Sequence, residues 1–324
     1  QFWLASLLAF LIFLPNLWWQ YMHRFPVVHH MQELRDTQLQ FVSPVEFLVD
    51  QLIMFLPVLI IWTAGLFAAA FASWAKPYRW MAIQYVIVIL LLIGGSGKGY
   101  YALGLYPMLL ALGSVHLAKW LQQKTVFIKW ALIAVCLIPG LLILPLALPT
   151  FPAVQQASFY QKLGINNSPM FRWEDRKMHA LPQDFADMIG WEEIAAMTSK
   201  HYNQLPDSVR SSTMIYCRGY HTAGLLNWYG SQHGLPTAYS DNGSYLLWMP
   251  EEYDFKHLMM IGWRMPGADD EVFNHFANRQ VLDSLQLPLA REHGIKLFLF
   301  SNADSVMTKL VAKGIAEEKA IFSR

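Results

Sequence analysis

Charge is what this sequence has least of. Only 15% of its 324 residues are Asp, Glu, Lys or Arg, against 55% hydrophobic, and the mean hydropathy is positive. A soluble domain carries about a quarter charged residues, so part of the chain is expected to face lipid. The formal net charge of +1 leaves no global field to attract a nucleic acid, and no nucleic-acid partner is expected. Cysteine is almost missing: Cys136 sits in an apolar run and Cys217 in the polar half, so neither a disulfide framework nor a cysteine metal site is expected. There is no Walker loop, dinucleotide glycine fingerprint, HExxH helix or GxSxG elbow, and no internal repeat. A basic n-region and a small-residue cleavage site are also missing, which argues against a signal peptide. The chain opens on Gln1, is apolar from its second residue, and reads as cut from something longer.

What is present is a series of long apolar runs before about Thr150. Phe2 to Tyr21 is a first spanning candidate, closing on Trp18, Trp19 and Tyr21, which suit an interfacial belt. A polar loop is expected from Met22 to Pro44. Further spans are expected at Phe47 to Trp74 (with Pro57), Trp80 to Ile93, Tyr101 to Ala118 and Val126 to Leu148, five in all. Lys76 and Arg79 mark one link and Lys119 and Lys124 another, on the same side, which the positive-inside rule assigns to the cytoplasm. The histidine-rich first loop, the Gly94–Tyr101 loop and everything after Pro149 then belong to the opposite face.

From Thr150 onward the pattern is that of a globular α/β module. Pro182 to Tyr202 reads as a helix, Ser212 to Cys217 as a strand, and the HTAGLLNWYGSQHG run after it as a helix. Leu258 to Trp263, Lys296 to Phe300 and Val281 to Leu289 are further strand candidates, together making a small mixed or parallel sheet. The expected domains are therefore a membrane region, residues 1–149, and an extracytoplasmic α/β domain, residues 150–324.

The stretch with the most chemical content is GGSGKGYY, Gly94 to Tyr101, followed by Leu105, Tyr106 and Pro107. It sets one lysine and two tyrosines in a Gly/Ser loop between two apolar runs. A lone cation beside two phenol hydroxyls suits a phosphate at headgroup depth; it equally suits a snorkelling lysine in a tight turn. His23, His29 and His30 fit a solvated loop better than a metal site. Glu33 and Asp36, three apart, form a carboxylate pair or a solvated surface. Asp50, near the start of the second span, needs a partner or a water cavity, or serves as a helix N-terminal acid. Asn242-Gly243 reads as a tight turn, with Tyr239, Tyr245 and Trp248 forming either an aromatic rim or part of a small core.

Several segments resemble a known family. NLWWQYMHRFP (Asn16 to Pro26), VSPVEFL (Val42 to Leu48) and GGSGKGYYALGLYP (Gly94 to Pro107) look like the later membrane segments of bacterial family-39-type glycosyltransferases. These belong to the GT-C class, with the protein O-mannosyltransferases and the aminoarabinose transferase of lipid A. CRGYHTAGLLNWYG (Cys217 to Gly230), AYSDNGSYLLW (Ala238 to Trp248) and LAREHGIKLFLF (Leu289 to Phe300) resemble their outer domain. The resemblance implies a multi-pass enzyme of the bacterial inner membrane, with its C-terminal domain periplasmic, taking a sugar from a polyprenyl-phosphate carrier. It implies that Lys98 holds the carrier phosphate and that Tyr100 and Tyr101 complete the headgroup site. Trp19, Tyr21 and His23 are expected near the same cavity. The family's catalytic acid lies in its first outer loop, and no counterpart to that acidic motif stands in this sequence, so the acid is expected upstream of it.

The sequence is accordingly expected to be the C-terminal part of a polytopic α-helical, GT-C-like glycosyltransferase. Its partners would be membrane lipids, a polyprenyl-phosphate sugar as donor, and an extracytoplasmic lipid, glycan or protein as acceptor; no cofactor or metal requirement is evident. The alternative is a non-catalytic membrane protein that binds polyprenyl lipid or scaffolds a cell-envelope complex. A transporter fits less well, because the spans show no paired broken repeat.

Overall fold

A computed structural model describes residues 2–37, 42–267 and 270–322. The chain is mostly helical and carries one small mixed sheet. It divides into two compact units, one of Met31–Pro152 and one combining Gln1–His30 with Ala153–Arg324. The first helix, α1 (Phe2–Met22), thus belongs with the second unit.

The segment expected as a polar loop is instead helical, α2 (Pro26–Thr37). Its sequence explains the correction: Pro26 opens it with a preset φ, no glycine interrupts it, and Val27, Met31 and Leu34 fall at i, i+4 and i+7. The second expected span is broken. Ser43 Oγ accepts the Val45 amide at 3.3 Å and Pro44 starts α3 (Pro44–Ile53). A short 3₁₀ turn at Leu56–Val58, holding Pro57, then leads into α4 (Leu59–Phe71). The pair Pro44–Ile53 and Leu56–Phe71 is bent by 65°. Three more helices follow in this unit, α5 (Arg79–Gly94), α6 (Tyr106–Leu121) and α7 (Val126–Ala147). The described residues include four helical stretches long and apolar enough to cross a membrane, Trp3–Met22, Ser73–Gly94, Gly99–Leu121 and Val126–Ala147; counted as one span, the bent pair makes five.

The centre of this unit is the crossing of α4 and α6. A Cβ on Gly65 would lie 1.8 Å from the Leu109 carbonyl oxygen, and one on Gly113 would lie 1.8 Å from that of Ile61. The two backbones therefore touch, with Ala68 and Ala69 fully buried beside them. Lys119 Nζ lies 4.1 Å from the ring centroid of Trp74, so the link after α4 and the end of α6 meet at one end of the unit.

In the other unit the later elements run α8 (Ala153–Leu163), α9 (Gln183–Ala186), α10 (Trp191–Asn203), α11 (Asp207–Arg210), β1 (Thr213–Cys217), α12 (Tyr220–Tyr229), β2 (Ala238–Tyr239), β3 (His257–Gly262), β4 (Phe276–Ser284), β5 (Lys296–Ala303) and α13 (Met307–Ile321). The sheet order is β2-β1-β3-β5-β4; β1 pairs with β2 and β3 in parallel, and β5 lies antiparallel between β3 and β4. Ile215, Met259, Ile261, Leu297 and Leu299 pack on one face against Ile194, Leu225 and Leu226. Leu258, Met260, Phe298 and Phe300 pack on the other against Phe273, Phe276 and Met307. Each such fully buried side chain contributes about 1.5–3 kcal/mol.

Two expectations need correction here. The helix expected over Pro182 to Tyr202 is split, because Gly190 takes a φ of +99° between α9 and α10. The strand expected at Val281 to Leu289 lies earlier, at Phe276–Ser284; its exposed Asn278, Arg279 and Gln280 hide it from a hydrophobic pattern, and pairing with β5 defines it. Strand β2 is two residues long and left no pattern. Tyr239 and Tyr245 pack against core clusters, whereas Trp248 is exposed. Cys136 and Cys217 are both free thiols, and burial pushes the Cys217 thiol up from its ordinary value.

The helix crossing yields a test. Gly113→Leu is expected to destabilise the protein in detergent by about 1–3 kcal/mol or more, since α4 and α6 must separate to admit the side chain. Gly94→Ala, where a Cβ meets nothing within 4 Å, is expected to change stability by about 0.5 kcal/mol at most. Equal thermal midpoints for the two variants would refute the crossing.

Candidate functional site: the lysine loop

The loop after α5 is shaped by its own backbone. The amides of Gly95, Ser96 and Gly97 turn back onto the carbonyls of Leu91, Ile93 and Leu92 at 2.9, 3.1 and 2.7 Å. Lys98 is extended, and its carbonyl accepts the Tyr101 amide at 3.0 Å, opening a 3₁₀ turn over Gly99–Leu105. Gly97, Gly99 and Ala102 are buried while Lys98 is half-buried and Tyr100 and Tyr101 are exposed. The turn thus sorts small residues inward and the lysine and tyrosines toward the surface. The two phenol rings meet edge to face, 4.8 Å apart.

A buried amide fixes this turn from behind. Gln51, on α3 and only 3% exposed, donates through Nε2 to the Gly99 carbonyl and to the Phe47 carbonyl, both at 3.1 Å. Its Oε1 accepts the Tyr106 hydroxyl at 2.9 Å. Tyr106 is itself fully buried, stacked on Phe55 with centroids 3.8 Å apart and set edge-on to Trp62 and Tyr85. Asp50 adds a second contact. A Cβ on Gly99 would lie 2.7 Å from Asp50 Oδ2 and 2.8 Å from its Cβ, so the residue after Lys98 has room for glycine alone unless Asp50 shifts. An ammonium group and two phenol hydroxyls on a fixed turn make a donor set suited to phosphate oxygens.

The structure brings Lys98, Tyr100 and Tyr101 onto this one turn. Trp19, Tyr21 and His23 lie on and just after α1, in the other unit; there His23 stacks on Trp19 at 4.4 Å and its Nδ1 lies 2.8 Å from the Trp19 carbonyl oxygen. Glu33 and Asp36 fall on α2, and the Glu33 side chain lies outside the described residues. Among the described residues no three His, Cys, Asp or Glu side chains are grouped to hold a metal. Reading the sequence missed Gln51 and the role of Tyr106. The available signal was an amide within an apolar stretch, a group that must find internal partners when buried.

Replacing Gln51 with Leu removes the acceptor of a buried tyrosine hydroxyl and the tie to Gly99. The expected cost is about 1–3 kcal/mol in thermal unfolding, with faster amide exchange at residues 98–102; unchanged exchange there would show that Gln51 does not hold the turn. No protein-family model, no curated protein and no solved structure matches this chain.

Proposed function

We propose that this chain is part of a membrane glycosyltransferase of the GT-C class, resembling the family-39-type enzymes, that moves a sugar from a polyprenyl-phosphate donor to an acceptor outside the cytoplasm. The observation that carries the reading is the lysine loop. It is a glycine-rich turn at the end of an apolar helix, tied down by a buried glutamine, that presents Lys98, Tyr100 and Tyr101 together. In this reading the apolar helices span the bacterial inner membrane. The loop and the sheet-containing module face the periplasm.

The chemistry asks for such a turn. Breaking the glycosyl–phosphate bond leaves negative charge on the departing polyprenyl phosphate. A cation already fixed where that charge develops lowers the barrier without reorganising at the moment of reaction. The lysine supplies the charge, and the phenol hydroxyls supply neutral donors that orient the phosphate. Deprotonation of the acceptor is assigned to neither Glu33 nor Asp36. The family resemblance places that acid in a motif with no counterpart in this sequence.

The test uses the protein as the cell makes it, with a polyprenyl-phosphate sugar as donor. Lys98→Ala is expected to reduce transfer by on the order of 100-fold or more, with thermal stability retained and Lys98→Arg intermediate. Unchanged turnover in Lys98→Ala would remove the phosphate-site assignment. Tight binding of the polyprenyl phosphate by the wild type, with no transfer to lipid, glycan or protein acceptors, would instead establish a non-catalytic lipid-binding protein.

A further inference from the structure

The sheet-containing unit carries a cavity of about 420 Å³, separate from the lysine loop. It lies at the end of the sheet where β3 finishes and its antiparallel neighbour β5 begins. Trp263 directly follows β3, and Ala290, Arg291 and His293 shortly precede β5, whose first residue Lys296 pairs with Gly262. All four line the cavity.

The opposite part of the lining comes from a tight turn over residues 171–179. Arg172 and Met178 form an isolated antiparallel bridge, and Arg176 takes a φ of +63° at its tip. The turn stacks the Trp173 indole on His179, centroids 3.5 Å apart and planes within 9°, while Trp173 Nε1 donates to the Leu181 carbonyl at 2.8 Å. Both rings line the cavity, so part of its wall is an aromatic pair held in place by its own stacking and by the indole hydrogen bond. Trp263, half exposed, adds a second indole.

The polar groups select against an anion. Arg291 is already shared: Nη2 donates to Glu174 at 3.1 Å and Nη1 to both Asp187 oxygens at 3.1 Å. A phosphate or carboxylate would compete with two carboxylates for it. The Lys177 amide, followed by His179, holds the Asp175 carboxyl below its ordinary range, so Asp175 stays an acceptor at neutral pH. Beside this wall Glu292, 8% exposed, has Oε1 3.4 Å from His221 Nε2, and its buried Oε2 has no hydrogen-bond partner among the described residues. Two indoles, carboxylate acceptors and a guanidinium in one cavity suit a ligand with an apolar face and a ring of hydroxyl groups.

We propose that this cavity binds a neutral saccharide. The sugar lays its C–H face on the half-exposed indole of Trp263 and exchanges hydrogen bonds with Glu174, Asp175 and Arg291. Saccharide binding stands on this geometry alone; that the sugar belongs to the acceptor rests on the transferase reading above.

The experiment uses the full chain in a detergent without sugar headgroups, applied to immobilised neutral mono- to tetrasaccharides and to a matched set of sialylated and phosphorylated glycans. The wild type is expected to bind members of the neutral set. Trp263→Ala is expected to weaken that binding about tenfold or more, Trp263→Phe by less, because a smaller ring retains part of the stacking surface. Trp228→Ala, an exposed indole on α12 outside the cavity, is expected to leave it unchanged. No binding to any neutral glycan, binding confined to the anionic set, or equal binding by wild type and both Trp263 variants would each overturn the proposal. Because the readout is binding, loss of transfer in Lys98→Ala neither supports nor removes it, and the two readings fail separately.

Discussion

Two glycines set the spacing on which the first unit depends. With Gly65 on α4 and Gly113 on α6, the helices meet backbone to backbone. A side chain at either position would force them apart. If these helices lie in lipid, as proposed, there is no water to expel between them, and close van der Waals contact is what remains to hold them together. About two turns back from Gly113, at the start of α6, Tyr106 sits in the aromatic nest of Phe55, Trp62 and Tyr85. Its hydroxyl then reaches Gln51, and Gln51 reaches Gly99. The placement of Lys98 is the last step in a series that begins with the absence of two side chains.

The second unit reaches its order differently. It has an ordinary three-layer arrangement, helices on both faces of a sheet, and its free energy comes from burying aliphatic and aromatic side chains on both sides. Its polar ties are mostly at the surface. His201–Asp283 and His275–Asp304 are partly exposed pairs of this kind, and such pairs contribute little. Arg291 differs because it joins Glu174 and Asp187 from separate segments around one crevice, which orders that rim more than it stabilises the unit.

Much of this was legible in the sequence, and what was not has physical reasons. Continuous apolar runs marked the long helices because length and hydropathy suffice for that. They did not show the 65° bend, where a proline turn divides one run without a polar residue. Helix α2 is hidden by its charged and polar residues, which mask the spacing of Val27, Met31 and Leu34. Strands β1, β3 and β5 showed themselves by buried aliphatic residues, whereas β4 is defined by its partner rather than by its own side chains. In the lysine loop the residue types were readable and their support was not. Gln51 stands 48 positions from Gly99, and no local pattern connects residues so far apart.

The position of β5 bears on how the chain is made. Among the described residues it is the last strand in sequence, yet it lies inside the sheet, between β3 and β4, and β4 pairs there with no other strand. Until Lys296–Ala303 has been synthesised, β3 offers an open edge and β4 has nothing to join. The unit therefore cannot complete itself segment by segment as the polypeptide emerges. Some 80 residues from β1 onward must wait, with apolar surface uncovered, for one eight-residue strand to arrive. A chain that stops short of it would be expected to aggregate or be degraded rather than to persist as a smaller domain.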